Sequence, residues 1–117
     1  MTTTNFLRDR QMETQFQKAV IEYAKTCGWG WPNPDDPDRY EGIWHNPDSR
    51  RDNAGLFDII MLHPEQHRLA FIEVKKLGGK LSGPQKRAWA QLLVTDAEVY
   101  VWWPEDWDQI ERVLRGG

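Results

Sequence analysis

Two acids and a lysine set in apolar surroundings are where this sequence has the means to do chemistry. Glu73 and Lys75 close the apolar run Leu69-Ala70-Phe71-Ile72, and Asp58, fifteen positions before Glu73, stands at the mouth of a second run, Ile59-Ile60-Met61-Leu62. Charges in strand-like apolar stretches are costly to bury without partners. The intervening His63-Pro64-Glu65-Gln66-His67-Arg68 reads as a turn. A hairpin symmetric about its centre sets Asp58 opposite Glu73, where two carboxylates repel across the ladder unless a cation lies between them. Side-chain alternation puts Lys75 on the same face as Glu73. Two carboxylates holding a hard divalent metal, with an ammonium beside it, suit phosphodiester hydrolysis, which needs an oriented water and neutralised charge on the phosphorane. Asp58 and Glu73 would be oxygen ligands to Mg²⁺, the Val74 backbone carbonyl could add another, and Lys75 would contact the attacking water and the scissile phosphate. The competing explanation is an ordinary solvated Glu-x-Lys ion pair, which the short motif by itself does not exclude.

These residues need elements to carry them. The spacing of Met12, Phe16, Val20, Tyr23 and Cys27 predicts a helix from about Phe6 to Cys27, with Gly28 as its stop. Residues 29–38, rich in Pro and Asp, read as a loop, and Tyr40–His45 as a short strand. Residues 46–54 are polar and expected to be irregular. Strands are expected at about Gly55–Leu62 and Leu69–Lys75. After Gly78-Gly79, Ser82 is a candidate N-cap with Pro84 near the first helical position and Gln85 placed for a capping box, opening a helix to about Val94. Val99–Trp103 reads as a strand stopped by Pro104, and Glu105–Leu114 as a last helix. The order is helix, three strands, helix, strand, helix, in a single domain spanning residues 1–117.

With that order in place, a resemblance emerges. Gly55-Leu56-Phe57-Asp58, then Phe71-Ile72-Glu73-Val74-Lys75, then Gly79-Lys80-Leu81-Ser82-Gly83-Pro84-Gln85 resembles the VRR-NUC family of the PD-(D/E)XK nuclease superfamily. Glu13-Thr14-Gln15-Phe16-Gln17 is similar to that family's first-helix motif, and Trp44-His45-Asn46 to the motif before its loop. The resemblance spans most of the chain, and the combination is specific where each piece is not. Phe57 departs from the proline frequent in the family at that place, but phenylalanine suits a strand.

The resemblance implies an α/β, restriction-endonuclease-like fold: an α-β-β-β-α-β core with a mixed central sheet flanked by helices, plus a C-terminal helix. It implies DNA cleavage with Mg²⁺ or Mn²⁺ and no nucleotide cofactor. By motif match Asp58 and Glu73 are metal ligands, Lys75 the catalytic lysine, Gln85 an auxiliary active-site residue, and Glu13 a further approach to the metal from the first helix. Small members of that family are homodimers acting on branched DNA such as four-way (Holliday) junctions, so a branched DNA partner and a homodimer are expected by analogy. Flap, nick or single-strand-end cleavage is an alternative within enzymes. A non-catalytic DNA-binding assembly subunit is the alternative from another class.

Composition bounds these readings. The chain has 117 residues, 39% apolar, with seven tryptophans and a net charge of −3, which argues against non-specific coating of nucleic acid. Its positive charge gathers in Arg50-Arg51, Lys75-Lys76, Lys80 and Lys86-Arg87. Arg50, Arg51, Lys76, Lys80 and Lys86 are candidate phosphate contacts as a group, although a solvated surface accounts for any one of them. The lone Cys27 permits neither an intramolecular disulfide nor a cysteine zinc site and reads as core packing. Nothing reads as a membrane span or signal segment, so a cytoplasmic protein of a prokaryotic or phage-infected cell is expected. His45 reads as a hydrogen-bonded loop residue. His63 and His67 read as exposed, Trp89 with Leu92 and Leu93 as core, and one of Trp102 and Trp103 at most as facing the interior.

Overall fold

The two apolar runs pair as a hairpin, and their alternation decides what the sheet hides. The computed structural model describes residues 3–45 and 57–116, with the side chains of the first helix described from residue 12 onward. A helix, α1 (Thr3–Thr26), leads into β1 (Trp31–Asn33), β2 (Asp36–Glu41), β3 (Ile43–His45), β4 (Ile59–His63) and β5 (Arg68–Val74). Then come α2 (Gly83–Leu92), β6 (Glu98–Trp102), a 3-10 turn at Pro104–Asp106 and α3 (Trp107–Arg115). The strands β3-β4-β5-β6 form a mixed sheet in that order, antiparallel except for the parallel pair β5 and β6. The fold is therefore α/β, with a mixed four-stranded sheet, a separate two-stranded sheet of β1 and β2, and three helices. No described helix is long and apolar enough to cross a membrane.

Register sorts the side chains into two faces. Ile59, Met61, Ala70, Ile72, Val74 and Trp102 share one face and are each at most 1% exposed. They join Phe16, Val20, Ile21 and Ala24 of α1, Trp29, and Ile110 and Leu114 of α3 in one core. Burying each of the larger side chains contributes roughly 1.5–3 kcal/mol before the cost of ordering it. Phe16 and Tyr23 meet Trp107 edge-on, and the Trp29 indole N–H donates to the Leu114 carbonyl at 2.9 Å, tying α1 and α3 to the same face. The opposite face carries Asp58, Ile60, Phe71, Glu73, Val99 and Val101, and here α2 contributes no buried residue.

Several expectations need correction. Residues 29–38 are not a loop: β1 and β2 pair there despite the prolines, because a two-stranded ribbon leaves each strand an outer edge that needs no N–H. Asn33 nucleates the turn, its side-chain oxygen accepting from the Asp35 and Asp36 amides. The strand expected at Tyr40–His45 is interrupted at Gly42, whose φ of +79° ends β2 and starts β3. β4 begins at Ile59, one residue after Asp58. Residues 46–54, and Gly55 and Leu56 with them, lie outside the described residues.

Met12 leaves the core stripe, 45% exposed, while Cys27 packs against the core as expected. The second helix stops at Leu92; Trp89 within it is half-buried, and Leu93 beyond it is 57% exposed rather than core. His63 is buried, not exposed: its Nδ1 accepts from the Gln66 N–H at 3.1 Å. That leaves Nε2–H to donate to the Cys27 carbonyl at 2.9 Å. His67 is exposed as expected.

Candidate functional site

The hairpin register Ile59↔Ile72 runs on by one step to set Asp58 across from Glu73, and both are buried, 2% and 1% exposed. Asp58 is held at two points. Its Oδ2 accepts the Val74 N–H at 3.1 Å, and its backbone carbonyl accepts from Gln17 Nε2 of α1 at 3.4 Å. The N–H and C=O of a strand residue leave on the same edge, so the Val74 carbonyl faces the Asp58 side while Lys75 N–H donates to Trp102 on the β6 side at 2.9 Å.

Lys75 Nζ lies 3.3 Å from Glu73 Oε1 and donates to Gln85 Oε1 at 3.0 Å. The first distance makes an ion pair without hydrogen-bond geometry, so Glu73 Oε1, Glu73 Oε2 and Asp58 Oδ1 are all buried oxygens with no donor. Burial, then the neighbouring Asp58 carboxylate, push the Glu73 carboxyl up to about 9, against the pull of the Lys75 ammonium.

Gln85 reaches Lys75 because the capping box forms. Ser82 Oγ accepts the Gln85 N–H at 3.3 Å, and Gln85 Oε1 accepts the Ser82 N–H at 2.9 Å. One side-chain oxygen thus caps α2 and receives the lysine together, so the capping role and the site role coincide.

A hard divalent cation fits this donor set. Three buried carboxylate oxygens without donors are what such an ion satisfies, with the Val74 carbonyl on the same edge as a further oxygen. Among the described residues no three His, Cys, Asp or Glu side chains converge, so the acids form a pair. Glu13 is half-buried on α1, one turn before the Gln17 that contacts Asp58. Lys76 follows the site strand half-buried, and Lys80, before α2, and Lys86, within its first turn, are exposed. Arg50 and Arg51 lie outside the described residues. His45 ends β3 and is exposed.

Two residues that support this site were given no site role from the sequence, although Gln17 closes the first-helix motif quoted for the resemblance. Gln17 is a 7%-exposed glutamine on the apolar arc of α1, a polar residue where burial demands a partner, which is the signal that could have found it. Trp103 reaches the site through the backbone of Gly79, and nothing local in the sequence announces that contact.

Comparison with protein-family models, with curated proteins and with solved structures gave no match to this chain.

Proposed function

We propose that this chain is a metal-dependent DNA endonuclease that hydrolyses phosphodiester bonds, with a restriction-endonuclease-like core and a preference for branched DNA such as four-way junctions. The observation that carries the reading is the set of three donorless carboxylate oxygens on Asp58 and Glu73 beside an ammonium. Without metal, Glu73 is held protonated beside Asp58, a costly arrangement that a purely structural ion pair has no need of. The succession of α1, β3, β4, β5, α2 and β6 supports the restriction-endonuclease-like core, and the motif resemblance supports the DNA substrate.

Asp58 and Glu73 would hold Mg²⁺ or Mn²⁺, with the Val74 carbonyl as a third oxygen. Bound there, the ion supplies charge neutralisation and acidifies a water. Lys75 Nζ turns its remaining N–H bonds toward the scissile phosphate and the attacking water, stabilising negative charge as it grows on phosphorus. Gln85 Oε1 fixes the ammonium in that direction. Asp58 is itself fixed by Val74 N–H and Gln17, so the acids need little reorganisation when substrate arrives. The preference for branches and a homodimeric assembly rest on the family resemblance, and two sites about a two-fold axis would suit paired cuts at a junction.

The experiment is a panel of labelled four-way junction, flap, nicked, single-strand-ended and linear duplex DNA, incubated with Mg²⁺, Mn²⁺ or EDTA. Cleavage is expected with either metal, strongest on the junction, and none in EDTA. Lys75→Ala should lower the rate by about 10²–10³-fold, the weight of one positioned charge-stabilising donor, while DNA binding is retained. Binding by the wild type without cleavage under every metal condition would favour a non-catalytic subunit and end the enzyme reading.

A further inference from the structure

The residue that follows β6 bonds across to the turn beside the site. Trp103 donates its indole Nε1–H to the Gly79 carbonyl at 2.7 Å. Gly79 lies four residues past Lys75 in the turn that joins β5 to α2, with its own N–H on the Lys76 carbonyl at 2.9 Å. A Cβ at Gly79 would stand 3.5 Å from the Lys75 Cβ and 3.1 Å from the Lys76 carbonyl oxygen, so this backbone packs directly on the root of Lys75. Trp103 is in turn locked from its far side. Its N–H donates to Asp106 Oδ2 at 2.9 Å, and its carbonyl accepts the Asp106 N–H at 2.9 Å.

The second half of the argument is what α2 lacks. None of its side chains is fully buried, Ala88, Trp89 and Leu92 being half-buried, so apolar packing fixes it against the sheet only in part. Polar ties at its start add to that packing: Lys75 to Gln85, and the indole on the turn that precedes the cap. We infer that Trp103 is a positioning residue for the Lys75–Gln85 pair, holding the turn at 76–79 against the lysine stem and so setting where α2 presents Gln85 Oε1. Its consequence for catalysis rests on the nuclease reading; the positioning itself does not.

The test separates the two. Metal-free wild type, Trp103→Phe, Gln85→Ala and the double variant are treated with acetic anhydride, and the acylation of each lysine is followed by peptide mass spectrometry. Phenylalanine keeps an aromatic ring and removes the N–H. Lys75 should acylate about fivefold faster in Trp103→Phe, the effect of losing one neutral hydrogen bond, with Lys25 unchanged as the internal control. The double variant should be no faster than Gln85→Ala alone, because both changes act through one contact. An unchanged Lys75 rate in folded Trp103→Phe, or additive rates in the double variant, overturns the inference. If Trp103→Phe does not fold, Asp106→Ala loosens the same residue from behind and should give the same rise at Lys75; no rise there overturns it equally. Should no DNA be cleaved by wild type, the nuclease reading falls and the Lys75 labelling still decides this one. Where cleavage is found, Trp103→Phe should lower kcat by a similar factor with Mn²⁺ affinity unchanged, and a parallel loss of Mn²⁺ affinity would assign Trp103 to the acids and overturn its role here.

Discussion

Strand β5 carries an ionic cluster at each end, and the two are built on opposite principles. At its start, Arg68 forks onto Glu98 of β6, Nε to Oε2 at 2.8 Å and Nη2 to Oε1 at 2.6 Å, while Nη1 donates to Gln66 at 3.0 Å. Tyr100 adds its hydroxyl to Glu98 Oε1 at 2.6 Å, and the guanidinium lies 4.7 Å over the Trp29 ring. The Arg68 hydrogen bonds hold the Glu98 carboxyl below its ordinary value. At the other end, Glu73 and Asp58 keep three oxygens without donors, and Glu73 is driven in the opposite direction. One cluster is saturated by its own chain, as a structural pair must be. The other is incomplete until a proton or a cation joins it.

The largest expected effect breaks or upholds that contrast through pH. Glu73 has a folded value of about 9, far above its unfolded value, so the native state holds a proton there that the unfolded chain releases. Its stabilising contribution is fully present below about pH 4.5 and is lost as pH rises toward 9, at up to about 1.4 kcal/mol per unit. Glu98 works the other way, its contribution present above the unfolded value and lost on acidification. Urea unfolding of the metal-free protein between pH 5 and 9 should therefore show stability falling with pH. Mn²⁺ should restore it, more at pH 8 than at pH 5, because binding requires the ionised acid. Glu73→Gln should flatten the profile and erase the Mn²⁺ gain together. A wild-type profile that is flat and indifferent to Mn²⁺ would mean the two clusters do not differ in kind.

Arg68→Ala tests the saturated end. The side chain is 17% exposed and its partner Glu98 26%, so screening is incomplete and the fork's charged hydrogen bonds are expected to count. A loss of about 2–3 kcal/mol is expected by chemical denaturation. Arg68→Lys should recover little of it, since an ammonium cannot fork onto both carboxylate oxygens. The Mn²⁺ response should be untouched. A variant that lost both stability and the Mn²⁺ response would show the two ends of β5 to be coupled rather than separate.

The sequence made the incomplete cluster more legible than its surroundings, and the reason is distance along the chain. Asp58 and Glu73 could be paired because the turn between two apolar runs is short and its centre is easily found. Ser82 and Gln85 could be paired because a capping box is a local pattern. His63 could not be placed, since its partner carbonyl at Cys27 and the Trp29 ring it meets edge-on are more than thirty residues away. Gln17 stood in the first-helix motif, but its contact with Asp58 needed the knowledge that α1 lies against that residue. The β1–β2 ribbon was hidden by its prolines, which discourage strands in general but not in a ribbon whose outer edges are free. The exposure of Leu93 follows from where α2 ends, which periodicity sets only to within a few residues.

The smallest expected effect concerns how α2 joins the incomplete end. Ser82→Ala removes one half of the capping box, the Oγ that accepts Gln85 N–H at 3.3 Å, and should cost about 1 kcal/mol in the helix. Because no side chain of α2 is fully buried, that cost should appear as local opening rather than as a loss of global stability. Hydrogen exchange is the measurement that resolves it. The amides of Lys86, bonded to the Ser82 carbonyl, and Leu93, bonded to that of Trp89, should exchange about fivefold faster, as expected for a 1 kcal/mol change in local opening. Those of β5 and of the Arg68 cluster should keep their wild-type rates. Faster exchange across β5 as well would mean that α2 is an integral part of the fold, and that the open end of the strand is not energetically separable from the closed one.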